Sequence, residues 1–489
     1  MKPAKTLRPQ TLLRALALTL FTTLCACTLG PDYQRPEVMV PSVYREASPW
    51  QEAVPADSLD KGAWWLMYDD PILADLQKRA LAANQSLKAA MWRLDQARIT
   101  ARISETDLYP RIDFDPSAQR SRSAADLNGG ESTTTTRLRL PFDLNYEIDL
   151  WGRVRRSMEA STAEYEASQA ELQNLRLTLQ AEVARNYFLL RSQDAQEKLL
   201  QRTTELRRKN LDLVTSLFNN GQSGRLDLAR AETELANAEA ESAALERRRA
   251  TTEHALAVLV GAQVENFSLS ASPSIFETKP PRIVPGLPSS LLERRPDIAA
   301  AERQMMAANA RIGIAEAAFF PVVSLTGSAG YASDELSSLF NWDNHTWSLG
   351  PFVALPVFNA GRNQAQLEKS EAVWQESIAL YRQQLLTAFR EVEDALSDIR
   401  ALEKQAQAQQ RALVSARQAA ELSGKRYRAG LVSYLEVVVS ERTALATELL
   451  ATLVYEQRLQ ASVSLIKALG GGWQNNPGTQ TQEEQDKAD

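Results

Sequence analysis

Between residues 137 and 150 the chain alternates with a period of two. Even positions carry Leu138, Leu140, Phe142, Leu144, Tyr146, Ile148 and Leu150, while odd positions carry Arg137, Arg139, Pro141, Asp143, Asn145, Glu147 and Asp149. Such alternation predicts a strand with one apolar and one polar face. The run is longer than the usual five or six residues and reaches the roughly 9–11 that a tilted membrane-spanning strand requires. A weaker partner is expected over 111–123, interrupted by Pro116, and two further strands over 321–332 and 345–358, joined by the turn-rich stretch 334–344.

The pattern then changes period. Residues 153–217 contain neither Pro nor Gly, and Leu172, Leu175, Leu179, Val183, Tyr187 and Leu190 recur at spacings of three and four. This predicts one very long helix, roughly 100 Å at about 1.5 Å per residue, with a narrow apolar stripe that packs side by side with a neighbour. A return helix is expected over 226–260, a Pro-rich excursion over 261–288 and a further helix over 291–318. A second descent and return fall at 363–429 and 432–469.

These segments are two copies of one unit. Glu105 and Tyr109-Pro110 match Glu316 and Phe320-Pro321 at an offset of 211. Gly152-Arg153, Gly221, Leu226 and Gly261 match Gly361-Arg362, Gly430, Leu435 and Gly470 at an offset of 209. The expected division is a signal segment over 1–26, an extended mature start over 27–69, repeat one over 70–261, an equatorial segment over 262–290, repeat two over 291–472 and a polar tail over 473–489. Two hairpins give four strands, and four strands cannot close a barrel in hydrocarbon, where an open edge leaves backbone groups unsatisfied. The chain must therefore oligomerise. Two copies give eight strands; three give twelve and room for a lumen, toward which the acidic residues Asp143, Glu147 and Asp149 would turn.

The start of the chain carries an address. Lys2, Lys5, Arg8 and Arg14 precede an apolar run over 15–24 that is too short to cross a bilayer, which reads as a secretory signal. Leu24-Cys25-Ala26-Cys27 resembles a bacterial lipobox, with Cys27 as the acylated first residue of the mature chain. Thr28 follows where an Asp would imply inner-membrane retention, so the outer membrane is the implied destination. Composition excludes other classes. The chain has 489 residues, a net charge of −6, 24% charged and 44% hydrophobic residues, and a mean hydropathy of −0.33. This fits neither a polytopic helical membrane protein nor a basic nucleic-acid binder. With 2 Cys no disulfide framework can be built, and the 2 histidines, His254 and His345, are far apart in the chain, so no metal site is expected. Met305-Met306 on an Ala-rich stretch reads as packing. No Walker loop, dinucleotide fingerprint or catalytic-triad motif is present, and neither an enzyme nor a cofactor is expected.

Several segments resemble the outer-membrane factors, the TolC-like exit ducts, in their lipoprotein branch. They are the mature start from Cys27 to Pro36, Arg295-Pro296-Asp297-Ile298 with Ala307 to Ala310, Ala317 to Pro321, Phe358 to Arg362, Arg426 to Gly430, and Leu469 to Trp473. The resemblance implies an α+β membrane protein. It would be a homotrimer with a twelve-stranded outer-membrane β-barrel, four strands per chain, continuous with a long periplasmic α-helical barrel. The implied partners are a periplasmic adaptor, an inner-membrane efflux pump that supplies the energy, and outer-membrane lipid. By the same resemblance Gly221, Arg225, Arg428, Gly430 and Ser433 mark tips that dock the adaptor. Leu435, Glu436 and Val439 stand at the periplasmic gate. Many relatives place an Asp where Val439 stands, which points here to a seal of apolar rings with Glu436 as the nearest acid. A duct for protein secretion and a non-conducting structural lipoprotein are the alternative readings.

Overall fold

The computed structural model describes residues 28–37, 45, 62–125, 132–281, 283 and 294–471. Cys27 and the signal segment lie outside the described residues. The helices are α1 (Pro71–Ala83), α2 (Gln85–Thr106), α3 (Arg153–Asn219), α4 (Arg225–Leu259), α5 (Pro296–Ala317), α6 (Arg362–Arg428) and α7 (Tyr434–Ala468). The strands are β1 (Arg111–Phe114), β2 (Ser117–Ser123), β3 (Thr133–Ile148), β4 (Val322–Ser333) and β5 (His345–Ala354). The two copies fold alike: α3 and α6 each hold 67 residues, and α4 and α7 each hold 35. Two compact units divide the chain, and each takes part of both copies.

One unit comprises residues up to 37, 93–169 and 300–382 and contains the sheet, ordered β1-β3-β4-β5 with β2 also on β3. β1 and β2 share one register against β3, from Arg111↔Asn145 to Ser123↔Thr133. They are a single strand broken at Asp115 and Pro116, where proline has no N–H to give the ladder. β4 pairs antiparallel with both β3 and β5. β5 stops at Ala354 instead of continuing to 358, because Pro356 cannot donate, and Val357 and Phe358 are left exposed. β3 starts earlier than its alternation, at Thr133, since Thr133 to Thr136 are all β-branched.

Residues 28–37 form a strap on the helices of this unit. The Leu29 N–H donates to the Trp151 carbonyl at 3.0 Å. Arg156, almost fully buried, donates to the carbonyls of Leu29 and Gly30 and to Asp32. Asn309 holds the Pro31 carbonyl at 2.8 Å, and Tyr33 and Arg35 both reach Glu302. Gly30, at φ +89°, lies backbone to backbone on Gly313 of α5: a side chain on Gly30 would strike Gly313, and one on Gly313 would strike the Leu29 carbonyl and the Arg156 side chain. The mature start is thereby pinned beside the first turn of α3.

The other unit comprises 38–92, 170–299 and 383–489. Its core joins Trp64, Tyr68, Leu73 and Leu76 to Val183, Tyr187, Phe188 and Leu190 of α3, Leu256 of α4, and Leu459 and Val463 of α7. Trp64–Tyr68 is thus a buried 3₁₀ turn, not part of an extended leader. Asp70 caps α1 by accepting from the Ile72 and Leu73 N–H groups ahead of Pro71. Asp194 accepts from Arg191, Arg249 and the Ser272 N–H, which ties the Pro-rich segment onto α3 and α4. Met305 of α5, in the first unit, is fully buried, consistent with packing.

Candidate functional site

Both tips turn with the same geometry. At the first, the Gly221 N–H donates to Phe218 at 3.0 Å and the Gln222 N–H to Leu217 at 2.8 Å. At the second, the Gly430 N–H donates to Tyr427 at 2.9 Å and the Leu431 N–H to Arg426 at 3.0 Å. This bond pair is a Schellman C-cap, which needs a left-handed residue. Gly221 and Gly430 supply it, both at φ +72°. No atom lies within 4 Å of where a Cβ would stand at either glycine, so a substitution meets backbone strain and no steric wall. Arg225 opens α4 and Arg428 closes α6, both exposed, and Ser433 precedes α7 without capping it through its side chain.

The two tips share one small core: Val214, Leu228, Ala231, Tyr434, Val437 and Val438, flanked by Phe218 and Tyr427. Tyr427 and Tyr434 pack with ring centroids 5.5 Å apart. Burial, reinforced by the nearby Glu441 carboxylate, pushes the Tyr434 phenol up to about 12. Val437 and Val438 point into this core, leaving Leu435 and Val439, four residues apart, on an exposed face of α7. Glu436 pairs with Arg426 at 3.2 Å.

Behind the tips lies an ion cluster that the sequence reading did not pick out. Arg207 of α3, with 3% of its side chain exposed, meets Glu441 of α7 at 2.8 Å and Glu234 of α4 at 3.4 Å. Asn210 also donates to Glu441, and Arg442 also pairs with Glu234. Burial pushes the Glu441 carboxyl above its ordinary value, against the pull of Arg207. A signal did exist: Leu200, Arg207 and Val214 are seven apart and all buried, so an arginine occupies a core position of the stripe.

The sheet keeps its two faces across most of each register, with Phe352 opposite Ser324 on the polar face and His345 opposite Tyr331 on the apolar face as departures. The apolar face of β3 continues through Ile112 and Phe114 on β1, through Val323, Leu325 and Tyr331 on β4, and through Trp347, Leu349 and Val353 on β5. The opposite face carries Asp113, Asp143, Asn145, Ser324, Thr326, Ser328, Thr346 and Ser348. From Leu138 to Ile148 the apolar face runs about 34 Å at roughly 3.4 Å per residue. A tilt near 45° brings that to about 24 Å, close to the height of an outer-membrane apolar band.

Of the three acids expected on the polar face, Asp143 alone follows the pattern without an ion pair. Glu147 is held by Arg153 in a two-pronged pair at 2.8 and 2.7 Å. Asp149 lies past the end of β3 and caps α3, accepting from the Val154 and Arg155 N–H groups. Period-two counting fails there because the chain has already begun to turn into the helix.

The chain as a whole is similar to known proteins. The model of the outer membrane efflux protein family matches residues 76–262 and 287–471. The chain belongs to this family. The cation efflux system protein CusC of Escherichia coli O6:H1 is 34% identical over 463 residues, covering 94% of this chain and 97% of CusC. The toluene efflux pump outer membrane protein TtgC of Pseudomonas putida is 34% identical over 476 residues, covering 96% and 98%. The crystal structure of the open state of the Neisseria gonorrhoeae MtrE outer membrane channel superposes with a TM-score of 0.80 at 32% identity, covering 91% of this chain and 98% of that one.

The protein is therefore an outer-membrane efflux channel. The solved neighbours are trimers in which a barrel is joined to a helical tunnel. The broken strand β1–β2 and the strand β5 are the free edges that such closure joins.

Proposed function

We propose that the channel is a passive duct without chemistry of its own, gated and docked at the tips described above. The observation that carries this reading is the duplicated Schellman turn, which presents two near-identical exposed ends to a partner while a shared core holds them together. Gly221, Arg225, Arg428, Gly430 and Ser433 form the docking surface for the adaptor. Leu435 and Val439 supply the apolar seal of the resting gate, and Asp143 faces the barrel lumen. The cargo is small toxic molecules, drugs or metal ions. CusC and TtgC, named for cations and for toluene, are equally similar to this chain, which supports assigning selection to the pump.

Gly430→Val tests the docking assignment. Forcing a β-branched residue into the left-handed region costs roughly 1–2 kcal/mol, confined to the turn because the surrounding space is open. Heat-resistant trimer should reach wild-type amounts, while cross-linking to the adaptor falls and drug or metal sensitivity rises. Wild-type cross-linking and resistance would remove the turn from the docking surface.

Acylation at Cys27 completes the reading. Thr28 lies against Gly152 at the start of α3, so a lipid on the preceding residue would enter the membrane beside the strand-to-helix junction. Cys27→Ala should abolish metabolic labelling with palmitate; persistent label would place the modification elsewhere.

A further inference from the structure

On the broken strand β1–β2 the lipid-side face runs Ile112, Phe114, Pro116 and Ala118, and then changes character. The next two residues on that face are Arg120 and Arg122, paired with Thr136 and Thr134 of β3. Both arginines are exposed. Arg122 donates to the Ser132 hydroxyl at 2.9 Å, which steadies it against the hairpin. Arg120 makes no hydrogen bond or ion pair among the described residues. No acidic residue occurs over 117–123 or 132–140, where Arg137 and Arg139 add two further positive charges on the opposite face.

The second copy shows that this feature is not a requirement of the strand. At the offset of 211 the same face reads Val323, Leu325, Gly327 and Ala329, followed by Tyr331 and Ser333 in place of the arginines. The whole of β4, its loop and β5 contains no Lys or Arg. An aromatic or hydroxyl side chain at the edge of the apolar band satisfies a generic interface. Two guanidinium groups immediately past it, on the side that looks outward to lipid, supply paired donors shaped for phosphate oxygens.

We propose that Arg120 and Arg122 bind the phosphate groups of the outer-leaflet glycolipid, giving the trimer a collar of six arginines that seats the barrel in anionic headgroups. The proposal rests on the even face of the sheet being the lipid face. It adds a lipid-recognition site to one of the two hairpins only. Arg137 and Arg139, on the lumen side of the same hairpin, have no access to that headgroup and serve as the internal control.

The experiment uses purified full-length trimer in neutral detergent, with native mass spectrometry counting retained lipid A. Wild type should retain bis-phosphorylated lipid A about tenfold better than the dephosphorylated form, as charge-assisted phosphate contacts require. Arg120→Gln with Arg122→Gln should lose roughly that preference, whereas Arg137→Gln with Arg139→Gln should keep it. Equal retention by wild type and the Arg120/Arg122 variant overturns the proposal. Loss in the Arg137/Arg139 variant instead would show that the faces are reversed, a failure of the lipid-face reading itself. Displacement by millimolar inorganic phosphate would mark a free-anion site and overturn the headgroup assignment. Should the Arg120/Arg122 variant not form heat-resistant trimer, salt titration of wild type decides: retention must fall as ionic strength rises, and salt-independent retention overturns the proposal.

Discussion

Replacing Leu144 by arginine will largely eliminate folded trimer. Leu144 lies opposite Ile112 on one side and Gly327 on the other, in the middle of the apolar face. An arginine near the midplane of a membrane barrel costs about 2–4 kcal/mol, and the trimer carries the substitution three times, for about 6–12 kcal/mol in all. That is comparable to the whole stability of a typical domain. Gly327 offers no side chain behind which the guanidinium could be screened. Asp143→Asn, one residue away on the other face, will leave trimer unchanged, because an amide faces water as comfortably as a carboxylate. Unheated gels of outer-membrane fractions read both results. Equal trimer from Leu144→Arg and wild type would mean that the apolar face does not meet lipid.

The second large effect is expected at Arg207. Its guanidinium is the buried cation shared by Glu234 and Glu441, and it joins α3, α4 and α7 just behind the tips. Removing one partner of a buried ion pair costs about 3–5 kcal/mol, because the remaining charge is left uncompensated. In Arg207→Ala two carboxylates lose their common partner, although Arg442 still reaches Glu234 from the surface. The barrel is remote in sequence from this cluster and will still insert. The tips will loosen, so the variant should form normal trimer that passes ions more freely than wild type. Arg207→Met separates charge from packing. It refills the volume while withdrawing the same positive charge from Glu234 and Glu441, and should loosen the tips as much as alanine does. If both variants conduct like wild type, the cluster does not hold the resting gate.

Much of this architecture was legible because periodicity is a local property. The two-residue period over 137–150 needed no partner to be seen, and its register across β4 and β5 preserves the same faces. The long helices were legible from the absence of Pro and Gly over 153–217, and the turns from Gly221 and Gly430. What escaped depends on contacts distant in sequence. Trp64 and Tyr68 look like leader residues until Gln180 and Ser462 receive their polar atoms. Glu147 and Asp149 look like lumen acids until Arg153 and the start of α3 claim them. The Arg207 cluster needs three helices to assemble, and any one of them alone shows only a charge on a stripe. The strap over 28–37 is likewise invisible in sequence, since Gly30 and Gly313 acquire meaning only from lying against each other.

Electrical recording tests whether this chain builds a conducting duct closed at its tips. Purified full-length wild type and Arg207→Ala, each confirmed as heat-resistant trimer, would be added to planar bilayers. Wild type should insert in discrete steps of small conductance, one step per trimer, and Arg207→Ala should give clearly larger steps. Trimers that insert without conducting in both forms would contradict the account and return the protein to the class of structural envelope lipoproteins.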